Sequence, residues 1–294
     1  MNKIQKLKSL SSIVSYFDTY ILDLWGVMHD GKKAYKHAND CVEKLNRIKK
    51  NIIIISNSSQ SNLTIRKKLI DLGFNIKIFS NILTSGQTVY NEIKKPSLEW
   101  TKNLGKNCFH LSKNTKKNKY KFFFNKLNLK FVNNLGKADF IIASSADPLV
   151  PLIDYVPFLK KALENNLPFV CLKPDFESVE TNKVNKKTIC MGSVAKLYES
   201  FGGKVHILGK PKKYIYEKAT HLIPNFKKSR TIAIGDSINH DILGAHDFGV
   251  KSILITSGIH KDLFKAKKSN IEDRISSVTE RNIRPNYICE RLIF

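Results

Sequence analysis

Short apolar runs alternate with longer amphipathic stretches along most of the chain. Thr19-Tyr-Ile-Leu-Asp-Leu24 is apolar and β-prone, and it stops at Gly26. That length and composition predict a strand. A polar, helix-patterned stretch runs from Tyr35 to Lys50. The β-branched run Ile52 to Ile55 follows and ends at the cap-and-loop cluster Ser56-Asn-Ser-Ser-Gln60. A helix is predicted over Asn62 to Leu72, closed by Gly73. Strand, helix, strand, helix in succession predicts a parallel sheet with right-handed crossovers.

The stretch 91–187 is less regular. It holds a basic polar segment, predicted strands at Asp139–Ser144 and Pro168–Leu172, and a predicted helix between them at Pro151–Asn165. It reads as an inserted α/β unit, so the expected domains are 1–90 with 188–294, and 91–187. After it the alternation resumes. Gly192–Ser200, Lys212–Leu222 and Asn239–Phe248 read as helices. Gly203–Leu208, Arg230–Gly235 and Lys251–Thr256 read as strands, and Tyr287–Phe294 as a last one.

Composition narrows the class without changing this picture. A hydrophobic share of 42% over 294 residues excludes wholesale disorder. No apolar run approaches the length of a membrane-spanning helix. The basic start, Met1 to Leu10, lacks the apolar run and cleavage site of a secretory leader. Five scattered cysteines without a C-x-x-C pair fit reduced thiols, which predicts a cytoplasmic protein without structural zinc. The formal charge of +25 comes mostly from lysine spread along the whole chain. That pattern argues against a dedicated nucleic-acid partner and for general attraction of anionic substrates. The densest run, Lys113 to Lys121, reads as a solvated face.

Four polar clusters follow predicted strands directly, and open α/β sheets bind ligands at the carboxyl ends of their strands. Asp23 closes an apolar strand, where a carboxylate either caps a turn or is paired or metal-bound. Ser56-Asn57-Ser58 suits a helix start, and its hydroxyls and amides also suit a phosphate. Gly209-Lys210-Pro211 holds a lysine in a stiff turn. Gly235-Asp236-Ser-Ile-Asn-His-Asp241 places two acids around a strand–helix junction, where they cap the helix or hold a hard cation such as Mg²⁺.

This order of Asp, Ser, Lys and Gly-Asp-x-x-x-x-Asp resembles the haloacid dehalogenase superfamily. Its insertion between the Ser and Lys motifs looks like the large α/β cap domain of subclass IIA, as in NagD-like and pyridoxal or p-nitrophenyl phosphatases. Thr84-Ser-Gly-Gln87, Lys173-Pro-Asp175 and Gly192-Ser-Val-Ala195 are similar to segments flanking that cap. Asp23 to Gly31 resembles an uncharacterised bacterial branch with Asp-x-Trp-Gly-Val. The resemblance implies an α/β fold: a Rossmann-like core, a parallel sheet with helices on both faces, and the inserted cap.

It also implies roles. Asp23 would be the nucleophile, forming an aspartyl-phosphate. Asp23, Asp236 and the Trp25 carbonyl would hold Mg²⁺, with Asp241 supporting the site. Ser56 and Lys210 would bind phosphoryl oxygens. Asn57, Ser58, Trp25 and Asp175 would contact substrate. Lys173 departs from the asparagine that many family caps carry.

A larger departure is Trp25. Phosphatases of the superfamily usually carry a second Asp at that place to protonate the leaving group, and Trp transfers no proton. Either the substrate has a good leaving group, as in phospholysine- or phosphohistidine-type relatives, or His29 or Asp30 supplies the proton, or hydrolysis is lost and the chain binds phosphate or another ligand. Dehalogenases also place an aromatic there, but with a smaller helical cap. The reading is therefore a Mg²⁺-dependent phosphatase for a small phosphorylated metabolite, with no membrane partner and a homodimer through the cap. The alternative is a non-catalytic or weakly catalytic binding protein on the same scaffold. The polar, basic stretch from Ile259 to Asn282 has no role in this reading.

Overall fold

The computed structural model describes residues 4–113, 123–178, 188–265, 270–279, 281 and 283–294. The chain divides into two compact units. One comprises Met1–Ser56, Leu63–Leu83 and Lys210–Phe294, and the other Asn57–Asn62 and Thr84–Gly209.

The first unit carries a seven-stranded sheet. Its spatial order is Gln5–Leu7, Tyr287–Cys289, Lys251–Ile255, Thr231–Gly235, Thr19–Leu22, Asn51–Ser56 and Phe79–Thr84. The pairs from Gln5–Leu7 through Asn51–Ser56 are parallel. Side chains alternate between two apolar layers, as strand geometry requires. Tyr20, Leu22, Ile52, Ile54, Ile232 and Ile234 face one layer, against helices Lys36–Arg47 and Asn62–Asp71. Ile21, Ile53, Ile55 and Ala233 face the other, against helices Lys213–Thr220 and Leu243–Phe248. Burial on both faces is why these strands read as unbroken apolar runs.

The second unit is built on a five-stranded parallel sheet. Its order is Val205–Ile207, Phe169–Cys171, Phe140–Ser145, Asn107–Ser112 and Lys130–Val132. Helices Val156–Glu164 and Met191–Ser200 bury Leu159, Ala162, Val194, Ala195 and Tyr198 against it. The sequence pattern has Val205–Ile207 continuing the alternation of the core. It hydrogen-bonds instead to Phe169–Cys171 in this second sheet. An apolar run shows that a strand exists, not which sheet it joins.

Two predicted helices begin differently from their pattern. The one expected from Pro151 opens with a tight turn at Leu152–Tyr155 before the α-helix Val156–Glu164. The one expected from Asn239 opens with a wide π turn, Ile238–Ile242, before Leu243–Phe248. The run Lys113 to Lys121 lies outside the described residues from 114 on. Within the stretch Ile259 to Asn282, Lys261–Lys265 and Ile271–Ser276 are short helices, and Ile275 is buried against Ile238, Ile242 and Leu254. No helix among the described residues is long and apolar enough to cross a membrane.

Candidate active site

Two neighbouring strands end in acids. Leu22 pairs with Ile234, and the amide of Asp23 donates to the carbonyl of Ile234 at 2.9 Å. Asp23 and Asp236 therefore leave the sheet side by side at its carboxyl edge. The π turn then brings Asp241 back to the same edge, a frequent use of such turns at working sites. One Asp241 oxygen, Oδ2, accepts from the Ser237 amide at 3.0 Å, so it also caps its own turn. One oxygen from each of Asp23, Asp236 and Asp241 lies within 4.8 Å of the others.

Lys210 enters this group from the next segment, after Gly209 and before a cis bond to Pro211. Its Nζ donates to Asp23 Oδ1 at 2.5 Å and to Asp241 Oδ1 at 2.6 Å. All four side chains are buried. Burial alone would push the lysine's pKa down, but the charges of Asp23 and Asp241 outweigh it and hold it well above the ordinary value. Asp236 goes the other way: burial, then the Asp23 and Asp241 charges, raise its pKa well above the carboxylate range. One ammonium thus faces three buried carboxyl groups, and a divalent cation in place of the Asp236 proton would let all three ionise. The donors are carboxylate oxygens without thiolate or imidazole, which fits a hard ion such as Mg²⁺ and not zinc.

Glycines make room for these acids. A Cβ at Gly26 would stand 2.0 Å from Asp236 Oδ2, and one at Gly258 2.2 Å from the same atom. A Cβ at Gly235 would stand 2.0 Å from Asp241 Cγ. In the sequence Gly235 stands beside Asp236 and permits close approach, Gly26 reads only as the stop of the first strand, and Gly258 has no role. Only folding brings the last two against Asp236, whose Oδ2 also accepts from the Ile259 amide at 2.8 Å.

The loop after Asp23 holds the residues weighed as replacement acids. His29 is buried, and its Nδ1 accepts from the Gly31 amide at 3.0 Å, so the neutral ring carries its proton on Nε2. Burial, reinforced by Lys68, lowers its pKa to about 4. It is therefore not a charged acid at neutral pH. Partial burial would raise the pKa of Asp30, but the Lys33 and Lys32 amides outweigh it and hold the carboxylate below the ordinary range. Asp30 Oδ1 accepts from those amides at 2.7 and 2.8 Å. Neither residue offers a proton near neutrality. Trp25 is 37% exposed, with Lys68 Nζ 4.6 Å from its ring centroid.

Of the remaining expected residues, Ser56 belongs to the first unit, and Asn57, Ser58 and Asp175 to the second. Ser56 ends the strand Asn51–Ser56 and is buried. Asn57 donates from Nδ2 to Asp175 Oδ1 at 2.8 Å within the second unit. The fold thus joins two residues 118 positions apart, both expected to contact substrate. Ser58 Oγ accepts from the Gln60 amide at 3.2 Å in a local turn.

Models of the family described as haloacid dehalogenase-like hydrolase match residues 20–121 and 127–249. A third model, of related hydrolase-like proteins, matches 207–293. A comparison with curated proteins gave no match. Among solved structures, a haloacid dehalogenase-like hydrolase from Brucella suis is similar at 23% identity and a TM-score of 0.81, over 98% of this chain and 100% of that one. A protein from Cytophaga hutchinsonii described as a possible sugar phosphatase is similar at 19% identity and a TM-score of 0.77, over 99% of each chain. Glycerol phosphate phosphatase from Mycobacterium tuberculosis, solved with magnesium, is similar at 17% identity and a TM-score of 0.67, over 95% of this chain and 76% of that one.

Proposed function

The chain belongs to the haloacid dehalogenase-like hydrolases, and from that premise we propose a Mg²⁺-dependent phosphatase acting on a small phosphorylated metabolite. The observation that carries the proposal is one buried ammonium, Lys210, shared by Asp23 and Asp241 beside Asp236. Such an arrangement is costly to fold and is suited to a transferring phosphoryl group.

In this reading an Asp23 carboxylate oxygen attacks phosphorus. The bond from phosphorus to the leaving oxygen breaks, and an aspartyl-phosphate remains. Water then cleaves that acyl phosphate, releasing inorganic phosphate and restoring Asp23. Lys210 orients Asp23 through Oδ1 and offsets charge on the phosphoryl oxygens, and Ser56 binds those oxygens at the end of its strand. Asp23, Asp236 and the Trp25 carbonyl would hold Mg²⁺, with Asp241 supporting, and the ion would supply positive charge against the phosphoryl group. Asn57, Ser58 and Asp175 are assigned to substrate contact.

No proton donor poised for neutral pH stands on the loop from Leu24 to Gly31. The substrate class is therefore one whose leaving group departs without protonation, such as an aryl or acyl phosphate. The same lack of acid chemistry at Trp25 favours the second reading, a weakly catalytic or non-catalytic phosphate-binding protein. Five buried, free cysteines support a reducing, cytoplasmic setting. A homodimer through the inserted segment, and no nucleic-acid or membrane partner, complete the proposal.

The test is an assay of wild type and Asp23→Asn with Mg²⁺ on p-nitrophenyl phosphate, acetyl phosphate and glycerol phosphate. Wild type is expected to cleave the first two and to discriminate against the third by about 10²-fold or more, the scale of a missing general acid. Asp23→Asn is expected to abolish turnover. Absence of turnover by wild type on all three, or full activity in Asp23→Asn, overturns the phosphatase reading.

A further inference from the structure

Trp25 stands two residues after Asp23, so its Cα lies within roughly 7 Å of the Cα of Asp23. The next residue, Gly26, packs its backbone on Asp236. The neighbours of Trp25 along the loop, Leu24, Val27, Met28 and His29, are buried, whereas the indole is 37% exposed. Its ring is nevertheless held from several sides. His29 meets it edge-on, with centroids 5.3 Å apart and planes at 71°. Gly31 lies against its six-membered ring: a Cβ there would stand 2.2 Å from Cη2, and φ of +91° already favours glycine. Lys68, on the helix Asn62–Asp71, places Nζ 4.6 Å from the ring centroid.

An exposed aromatic side chain at a reaction edge, fixed in place and carrying a cation, has a chemical use. We propose that Trp25 and Lys68 form the subsite for the leaving group, and that this group is flat, conjugated and departs as an oxyanion, a phenolate or a carboxylate. The proposal rests on the phosphatase reading and adds to it the group that replaces the missing acid. The indole offers a π surface to a planar group. The ammonium stabilises negative charge that grows on the departing oxygen, where other members of the family would protonate it. An alkoxide gains little here, because it is too basic to leave without a proton and has no plane to stack. Lys68 is thus a specificity-determining residue, brought to Trp25 from 43 positions away in the chain.

The experiment compares wild type, Lys68→Met and Lys68→Arg on a series of ring-substituted phenyl phosphates that spans leaving groups from nitrophenol to phenol. Lys68→Met is expected to lower kcat/KM about 10- to 100-fold for the poorer leaving groups and less for the better ones, below the roughly 10²- to 10³-fold cost of removing a fully buried donor. The plot of rate against leaving-group acidity steepens, and Lys68→Arg restores most of the slope. An equal loss on all members, with the slope unchanged, marks a structural lysine and overturns the proposal.

A second arm does not need turnover. Trp25 and Trp100 are the two tryptophans, so Trp100→Phe leaves Trp25 as the reporter. Phenylphosphonate is expected to quench its fluorescence and methylphosphonate is not, and Lys68→Met is expected to weaken phenylphosphonate binding about tenfold. If wild type hydrolyses nothing but this binding pattern holds, the phosphatase reading fails and takes the leaving-group role with it, and Trp25 and Lys68 remain as a binding site for a planar anion. If wild type is active while both phosphonates behave alike and Lys68→Met changes neither binding nor slope, the subsite fails and the phosphatase reading stands.

Discussion

Within the first unit, the carboxylate cluster and the loop beside it are built on opposite principles. On one side three carboxyl groups, Asp23, Asp236 and Asp241, and the Lys210 ammonium are buried together, with two of the acids bonded to the lysine at 2.5 and 2.6 Å. On the other, between Leu24 and Gly31, the ionisable groups are neutralised or committed. His29 is neutral and occupied by Gly31, and Asp30 is engaged by backbone amides. In the proposed function the first side holds the phosphoryl group and the cation. The second lacks a proton to give near neutrality and offers an indole in its place. What departs, rather than what is transferred, is the feature on which this chain differs from the usual phosphatase pattern.

The largest effect is expected from breaking the charged side. Lys210→Met leaves Asp23 and Asp241 buried without their ammonium, and breaking such a buried pair costs on the order of 3–5 kcal/mol. Thermal denaturation is expected to show that loss, and added Mg²⁺ to recover part of it by neutralising the same carboxylates. kcat/KM is expected to fall about 10²- to 10³-fold, as when a preorganised donor is removed. A Lys210→Met protein as stable and active as wild type would mean that the cluster is not the phosphoryl site.

The next effect sharpens the contrast from the other side. Trp25→Asp returns a carboxyl to the place where the family's general acid stands. The ratio of kcat/KM for glycerol phosphate to that for p-nitrophenyl phosphate is expected to rise by about 10²-fold, the lower end of general acid catalysis. Loss of activity on both substrates with no change in the ratio would show that the indole is structural and that the leaving-group side is not limited by proton transfer.

Much of this arrangement is legible in the sequence, and the reasons are physical. Strands buried on both faces announce themselves as apolar runs, so Thr19–Leu22, Asn51–Ser56, Thr231–Gly235 and Lys251–Ile255 all read as strands. Their polar ends, Asp23 and Asp236, follow from the strand ends directly. Asp241 is legible as a position but not as a geometry, because nothing in its spacing announces a π turn. Phe79–Thr84 escapes the pattern, since Ser80 and Asn81 interrupt its apolar run. Gly203–Leu208 reads as a strand but points to the wrong sheet. Contacts between distant segments are out of reach altogether. Gly258 against Asp236, Asn57 on Asp175 and Lys68 over Trp25 leave no local pattern, because each is made only when separate segments fold together.

The smallest effect tests whether the loop side is silent to protons. The pKa of His29 is about 4 in the folded protein, against an ordinary value of 6.5. A depressed folded value means that the unfolded chain binds the extra proton first. The stabilising contribution of the neutral ring is therefore fully present above about 6.5 and is lost as pH falls from there toward 4. His29→Gln keeps an oxygen acceptor for the Gly31 amide and removes the titration. Wild type is expected to lose more Tm than His29→Gln between pH 7 and pH 5, with the two converging in slope above pH 7. The pH dependence of kcat/KM between pH 6 and pH 8 is expected to be the same in both, because the ring does not change charge there. If His29→Gln instead removes a limb of that rate profile, His29 is a working acid or base, and the two sides of the loop are less different than their contacts indicate.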